Sequence, residues 1–276
     1  MNTTNNGDID LAYETFGAAK GLPLLLIQGA SAPMIGWHDE FCAALVARGF
    51  HVARFDNRDA GRSSRARKRY TLTEMAADGI AVLDALGWSG AHLAGVSLGG
   101  MIAQVMAARH VDRVLSLTSM SSAPDPFVRW DRRTTLAILK FLAATRKKPG
   151  GPKAAEEKLL KVFRIFGSTG YPHDEAWIRR IARDGFEHRT DFAAAKRQAR
   201  AARASGDRTA ELAAVEAPTL VIAGEADPVQ PVRAGRATAD AIPGARLVTY
   251  PGMGHDLPRE LWPAVIDEIH ALAAKG

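Results

Sequence analysis

A serine between two glycines is the first candidate for chemistry in this chain. Ser97 lies in a Gly-x-Ser-x-Gly motif at 95–99, after the apolar run 93–96 and before a helical pattern. Where a strand turns sharply into a helix, such a serine is held exposed in a strained backbone, and flanking glycines relieve the crowding. The first N–H groups of the helix favour negative charge there. The motif in this context predicts a nucleophilic serine.

The candidate general base for this serine is His255. A serine hydroxyl is a poor nucleophile at neutral pH unless a base takes its proton. His255 follows the predicted strand 245–249, in a turn that contains two glycines. Of the eight histidines, it alone combines these features. His38 lies near another loop at the same predicted edge, but we interpret it as the cap of a helix.

The base in turn needs a carboxylate that holds its tautomer and stabilises the imidazolium. Asp227 follows the predicted strand 219–222 and is the favoured acid. Asp125, after the predicted strand 114–118, is the alternative, because a carboxylate there would face the same edge of a sheet. An Asp-Pro turn without a catalytic role is the other interpretation of Asp227.

Two backbone donors are the candidates for an oxyanion hole, which the tetrahedral intermediate of acyl transfer requires. One is the N–H of Leu98, the residue after the serine. The other is expected from the loop after the predicted strand 24–27. Ala30 is the candidate in that loop, and Gly29 beside it allows close approach of the backbone.

The elements that have to position these residues alternate between strands and helices. Short apolar runs separated by helical patterns predict a mostly parallel sheet covered by helices on both faces. The pattern changes at 127–205, where only helical periodicity is found and four helices are predicted. Ligands of such sheets bind at the carboxyl ends of the strands. We therefore expect the helical block to lie over that edge as a cap. The predicted strands are 8–16, 24–27, 51–55, 93–96, 114–118, 219–222 and 245–249.

Charge and composition restrict the other function classes. The 276 residues carry a net charge of +6, and residues 125–210 hold 20 Lys and Arg against 10 Asp and Glu. The cations are scattered along helical patterns with few aromatic residues, which favours a solvated helical face and no nucleic-acid partner. Cys42, the single cysteine, is predicted to be a buried thiol. We expect no metal, no cofactor and no membrane partner, and a cytoplasmic location, because no zinc spacing, apolar span or signal peptide is found.

The order Ser97, Asp227, His255, with a helical insert after strand 114–118, resembles the α/β-hydrolase fold. A loop at 56–63 is similar to the family's Asp-x-Arg-x-x-Gly-x-Ser loop, whose usual role is structural. The resemblance implies an α/β fold with a mostly parallel eight-stranded sheet and a helical cap after the sixth strand. It divides the chain into a core of 1–124 and 211–276 and a cap of 125–210. Gln28 is a departure, because many members have histidine there.

Within the fold, three segments resemble the aclacinomycin methylesterase-like group of bacterial esterases. This resemblance implies hydrolysis of a carboxylic ester, in particular a methyl ester on a bulky molecule. A serine nucleophile argues against haloalkane dehalogenases and epoxide hydrolases, which have aspartate at that position. The segments are Gln28-Gly29-Ala30-Ser31, Gly36-Trp37-x-x-Glu40-Phe41 and Gly252-Met253-Gly254-His255-x-Leu257-Pro258.

The predicted function is therefore that of a cofactor-free serine carboxylesterase acting on a small, apolar or bulky ester, as a monomer or homodimer. Trp130 and Phe163 of the cap are candidates to line its pocket, although core packing is the favoured interpretation of both. Two enzymatic alternatives use the same triad, namely a perhydrolase of the haloperoxidase type and a C–C bond hydrolase. A non-catalytic, ligand-binding member of the fold is the third alternative.

Overall fold

One sheet of eight strands organises the part of the protein that the computed structural model describes, residues 1–126, 131–188 and 192–275. The strand order across the sheet is β1-β2-β4-β3-β5-β6-β7-β8. The strands are β1 (Asn2–Asn6), β2 (Ile9–Phe16), β3 (Leu22–Ile27), β4 (Phe50–Phe55), β5 (Ala91–Val96), β6 (Val114–Met120), β7 (Thr219–Gly224) and β8 (Arg246–Tyr250).

Helices connect the parallel strands, and a block of helices lies between β6 and β7. Short 3-10 turns occur at Met34–Gly36, Val111–Arg113 and Arg259–Leu261. The helices are α1 (Asp39–Ala47), α2 (Leu72–Ala85), α3 (Leu98–Arg109), α4 (Arg132–Thr145), α5 (Pro152–Phe166), α6 (Glu175–Glu187), α7 (Phe192–Ala204), α8 (Thr209–Leu212), α9 (Val232–Ala241) and α10 (Trp262–Ala273).

The neighbouring strands β4, β3, β5, β6, β7 and β8 run parallel to one another. Strand β2 is antiparallel to both of its neighbours, β1 and β4. Parallel neighbours need a crossover, and the helices supply it. The carboxyl ends of β3, β4, β5, β6, β7 and β8 therefore meet at one edge, which we call the upper edge. Loops that follow these strands are brought together there, although they are far apart in sequence.

The core lies on both faces of the sheet, because successive side chains of a strand point to opposite sides. On β3, Leu25 and Ile27 pack into the cluster that includes α2 and α3, whereas Leu24 and Leu26 pack into the cluster that includes α1 and α10. All four are fully buried. The continuous apolar runs of the sequence are explained by this two-sided burial.

The predicted fold class is confirmed by this architecture. The sequence patterns missed β1, since its Asn-Thr-Thr-Asn-Asn segment is polar and lies at the edge of the sheet. They also missed the short α8. Trp130, one of the two candidates to line the pocket, lies outside the described residues. The division of the chain at 125 and 210 into core and cap stays a prediction.

The helical block is in contact with the upper edge. The backbone N–H groups of Thr169 and Gly170, between α5 and α6, both donate to the carbonyl of Gly252 in the loop after β8, each over 3.0 Å. A methyl group on Gly254 would overlap the backbone at Gly167. Close backbone contact of this kind fixes the insert against the loop that carries His255. In the described ranges, no helix is both long and apolar enough to cross a membrane.

Candidate active site

Ser97 occupies the sharp turn between β5 and α3. Its backbone has φ 55° and ψ −119°, a region that non-glycine residues rarely adopt. Gly95 and Gly99 make the turn possible, because a methyl group on Gly95 would overlap the carbonyl of Gly99, and one on Gly99 would overlap the carbonyl of Ile27. The motif is thus required by the close approach of β3, β5 and α3.

Backbone hydrogen bonds fix the strained serine to the neighbouring strand. The N–H of Ser97 donates to the carbonyl of Met120 over 2.8 Å. The hydroxyl of Ser122, just after β6, donates to the carbonyl of Ser97 over 2.8 Å. A residue in a sparsely populated conformation persists only when its surroundings over-determine it, and these contacts do so.

The His255 imidazole lies within hydrogen-bond distance of this serine, with Nε2 3.0 Å from Ser97 Oγ. Its loop is held by the helical block. The N–H of His255 donates to the carbonyl of Phe166 over 2.7 Å, and the N–H of Gly254 donates to the hydroxyl of Ser168 over 2.9 Å. The turn with two glycines that the sequence singled out therefore presents its histidine to the end of β5.

The third member of the group is Asp227, in the loop after β7. Its Oδ2 lies 2.7 Å from His255 Nδ1. Its Oδ1 accepts the N–H groups of Val229 and Gln230 over 2.7 and 2.8 Å. The carboxylate is fully buried, so these bonds fix its orientation. Of the two acids considered from the sequence, the structure brings Asp227, and not Asp125, to the histidine.

The electrostatic surroundings favour a charged His255. Burial lowers the pKa of its imidazole, but the negative charge of Asp227 and the hydrogen bond between them outweigh burial, with a smaller contribution from Asp256. The net result is a pKa above the ordinary value. An imidazole in this setting takes a proton readily, because the imidazolium that forms is stabilised by the buried carboxylate.

Two backbone N–H groups lie close to the serine without a protein acceptor in the described residues. One belongs to Leu98, the first residue of α3, whose N–H has no intrahelical partner. The other belongs to Ala30, in the exposed turn after β3. A methyl group on Gly29 would come within 3.4 Å of the Ser97 Cβ, so this turn runs directly beside the serine.

The loop at 56–63 has the structural role that was expected for it. Arg58 forms a two-point ion pair with the buried Asp78, over 2.6 and 2.7 Å. The carboxylate of Asp56 accepts the N–H groups of Met34 and Arg62 over 2.6 and 2.8 Å. These bonds tie the loop after β4 to the segment that follows the Ala30 turn.

An aromatic ring that the sequence analysis did not single out lies near the histidine. The ring of Phe166, at the end of α5, is 6.5 Å from that of His255, and Phe141 stacks on Phe166 at 5.0 Å. Phe163 packs against His173 instead. Sequence periodicity could not predict the position of Phe166 beside His255, because it does not show which helix end meets the upper edge.

Cys42 and His38, two other titratable side chains considered from the sequence, are not part of the hydrogen-bonded group of Ser97, His255 and Asp227. Cys42 is buried, and burial raises the pKa of its thiol to about 12. His38 caps α1 by accepting the N–H of Glu40 over 3.1 Å. Within the described ranges, no group of three or more His, Cys, Asp and Glu side chains has the arrangement of a metal site.

Comparison with known proteins agrees with this geometry. A family model described as alpha/beta hydrolase fold matches residues 23–258. The chain belongs to the α/β-hydrolase family. It is 33% identical to rhodomycin D methylesterase DauP of Streptomyces sp. (strain C5), over 91% of this chain and 90% of that protein. It is also 33% identical to rhodomycin D methylesterase DnrP of Streptomyces peucetius, over 92% and 91%.

The solved structures support the same assignment. The enol-lactonase from Burkholderia xenovorans LB400 matches this α/β hydrolase with a TM-score of 0.77 and 27% identity, over 98% of each chain. The resemblance to the methylesterase group that the sequence motifs indicated is confirmed by the two methylesterase relatives, which match over about nine-tenths of the chain.

Gln28 is the position at which this α/β hydrolase departs from many members. Its side-chain oxygen accepts the N–H of Gly29 over 2.6 Å, and its carbonyl accepts from the Asn57 amide over 2.9 Å. Gly36 leaves room for its amide, since a methyl group there would overlap it. Gln28 therefore stabilises the start of the Ala30 turn from within.

Proposed function

We propose that the protein is a serine carboxylesterase that forms an acyl-enzyme on Ser97. The observation that carries the proposal is the unbroken hydrogen-bonded chain from Ser97 through His255 to Asp227, on a strained turn. That the enzyme hydrolyses esters follows from its α/β-hydrolase membership and from two methylesterase relatives that span about nine-tenths of the chain. The triad and the acyl-enzyme are our proposal.

In the first half-reaction, Ser97 Oγ attacks the ester carbonyl carbon while His255 Nε2 takes the hydroxyl proton. The carbonyl electrons move to the oxygen, and the N–H groups of Leu98 and Ala30 donate to this oxyanion. Asp227 holds the imidazolium in place. Collapse of the intermediate breaks the bond to the alcohol oxygen, which takes the proton from His255 and leaves.

In the second half-reaction, water takes the place of the alcohol. His255 removes a proton from the water as it attacks the acyl carbon, and the same two N–H groups stabilise the second oxyanion. The bond to Ser97 Oγ then breaks, the proton returns to that oxygen, and the carboxylic acid is released. No cofactor enters this sequence, because each proton and electron pair stays among the side chains, the ester and water.

The proposed substrate is a carboxylic ester, in particular a methyl ester, on a bulky apolar molecule. Two relatives are named as methylesterases of rhodomycin D, which supports the methyl ester. Phe166 and Phe141 form an aromatic surface beside His255, which supports an apolar acyl part. Aromatic rings contribute large contact areas at little entropic cost.

Activity measurements with a serine-directed label test the proposal. The wild type is expected to hydrolyse p-nitrophenyl acetate and methyl esters of polycyclic acids, and a fluorophosphonate should label Ser97 at a site located by mass spectrometry. Ser97→Ala should remove both label and turnover while circular dichroism stays unchanged. Hydrolysis by Ser97→Ala near the wild-type rate would contradict the mechanism.

The alternatives give different results in the same assays. A perhydrolase would form peracid from acetate and peroxide faster than it hydrolyses p-nitrophenyl acetate. A C–C bond hydrolase would cleave a carbon–carbon bond next to a carbonyl and leave simple esters intact. A ligand-binding member would show slow turnover together with stabilisation by the bound molecule.

A further inference from the structure

The side chain of Gln198, on α7 of the helical block, links two loops of the upper edge. It is fully buried. Its Oε1 accepts the N–H of Ser31 over 2.6 Å, and its Nε2 donates to the carbonyl of Arg58 over 2.8 Å. Both ends of the amide thus have a partner of the matching kind. A residue from the insert is in direct contact with the turn that contains Ala30.

That turn is strained at Ser31. The N–H of Ala32 donates to the carbonyl of Gly29 over 3.4 Å, so residues 29–32 form a β-turn with Ala30 and Ser31 at its centre. Ser31 has φ 60°. A positive φ at the third position is typical of a type II turn, where glycine or asparagine is preferred. A serine with a free backbone would leave this conformation, and the Gly29 carbonyl would lose its bond to the Ala32 N–H. That carbonyl and the Ala30 N–H belong to the same peptide group, which would then be free to rotate.

The two halves of the turn are held by different residues. Gln28 and Asn57 hold the first half, through the N–H of Gly29 and the carbonyl of Gln28. In the part of the chain that the structure describes, the N–H of Ser31 has Gln198 as its acceptor. The conformation of the second half therefore depends on a side chain that comes from α7.

We propose that Gln198 is a positioning residue for the oxyanion hole, acting through Ser31 on the direction of the Ala30 N–H. The inference rests on the proposed function, since it matters only if Ala30 donates to the oxyanion. Removing the amide should let the turn relax and turn the donor away from the charge that develops on the substrate. Ground-state binding should change little, because the oxyanion forms only after attack.

Arg197 is the matched control for this role. It precedes Gln198 on α7 and binds the same loop, through a two-point ion pair with Asp59 over 2.9 and 2.6 Å. Neither of these two bonds involves the 29–32 turn. Loss of the Arg197 side chain thus weakens the attachment of α7 without removing the acceptor of Ser31.

The experiment compares Gln198→Met with Arg197→Met in kcat, KM and Tm. Gln198→Met is close in shape but makes no hydrogen bond, and we expect kcat to fall about tenfold or more with KM within about threefold of wild type. Arg197→Met should lose a similar or larger amount of Tm while kcat stays within about threefold of wild type. A role in anchoring α7 alone would make the two variants alike in kcat.

Two further variants test the cause. Gln198→Glu keeps an acceptor for Ser31 but loses the donor to Arg58, so its kcat should lie nearer to wild type than that of Gln198→Met. If Gln198→Met does not fold, the kcat of Gln198→Glu is compared with that of the wild type instead. Adding Ser31→Gly to Gln198→Met should recover most of the lost kcat, because glycine adopts the positive φ without strain.

The outcomes separate this inference from the proposed function. If the fluorophosphonate does not label Ser97 in the wild type and Ser97→Ala stays active, the proposed mechanism is wrong and the role of Gln198 falls with it. If the wild type is labelled but Gln198→Met keeps its kcat, or Ser31→Gly restores nothing, only the role of Gln198 is wrong.

Discussion

Ser97 and Ser31 both have positive φ at the upper edge of the sheet, but they are held there in different ways. Ser97, with φ 55°, lies between β5 and α3, where glycines at 95 and 99 let the backbones close around it. Ser31, with φ 60°, lies in a turn whose second half is held by Gln198, 167 residues away. The first conformation is held by core packing together with hydrogen bonds to Met120 and Ser122, and the second by a hydrogen bond from the helical insert.

The two turns should therefore respond to substitutions in different parts of the molecule. The elbow at Ser97 is held by the packing of β3, β5 and α3 and by hydrogen bonds to Met120 and Ser122, so altering that packing also alters the core. The turn at Ser31 depends on the helical insert, which contacts both this turn and the His255 loop. Alterations of the insert are therefore expected to change turnover without unfolding the sheet.

The largest effect is expected from replacing Ser97 by glycine, which removes both the nucleophilic hydroxyl and the backbone strain. Ser97→Gly should lower kcat/KM by about 10⁴-fold or more, since the nucleophile is gone. The same change should stabilise the fold by about 1 kcal/mol, because glycine adopts the positive φ freely. Urea unfolding and an ester assay measure the two effects. Ser97→Ala is the control, which should lose activity without gaining stability. Equal stability of both variants would argue against strain at this position.

The next effect concerns the buried partner of the base. Asp227→Asn should reduce kcat by about 10² to 10⁴-fold, because the orientation and stabilisation of the His255 imidazolium are lost. Burial would then lower the pKa of His255 against the smaller effect of Asp256 alone, so the acid limb of the remaining activity should move to lower pH. The comparison is Asp125→Asn, and a larger loss of kcat there would show that the acid has been assigned to the wrong strand end.

Gly99→Ala tests whether the elbow is locked by packing. A methyl group at this position would overlap the carbonyl of Ile27 and approach that of Gln28 within 2.8 Å. We expect a loss of about 3 kcal/mol or more in the free energy of unfolding, measured with urea, since backbone atoms have to move. Gly150→Ala, where a methyl group would meet no atom within 4 Å, is the control and should be nearly neutral. Similar values for both would refute the packing argument.

A moderate effect is expected from pH. Only the neutral imidazole of His255 can accept the serine proton, and Asp227 holds its pKa above the ordinary value of about 6.5. The value of kcat/KM should therefore fall about tenfold per pH unit on the acid side of the pH profile, and the midpoint of this fall should lie above about pH 6.5. Initial rates in the presence of constant salt give this profile. A midpoint well below 6.5 would mean that burial, and not Asp227, dominates.

The smallest effect is expected for the second strained serine alone. Ser31→Gly should stabilise the protein by up to about 1 kcal/mol and leave kcat within about twofold, because Gln198 still holds the turn. Thermal unfolding and ester hydrolysis measure both. A loss of kcat as large as that of Gln198→Met would show that the Ser31 side chain, and not its backbone, matters.

Residue types and spacing predicted much of the site, because its members follow strands. Parallel strands end at one edge, so Ser97, Asp227 and His255 were expected to meet without any knowledge of distances. The elbow was predicted most directly, since the strain and its relief by glycine lie within five residues. The polar β1 was missed because an edge strand carries no apolar pattern.

The sequence by itself thus determined the sheet, the elbow and the order of the candidate residues, since these depend on local periodicity and on the geometry of parallel strands. Only the tertiary structure decided that Asp227 pairs with His255, that Phe166 lies beside the histidine, and that Gln198 supports the Ala30 turn. Such contacts join side chains whose separation along the chain sets no distance, and they are fixed by the way in which the insert packs on the upper edge.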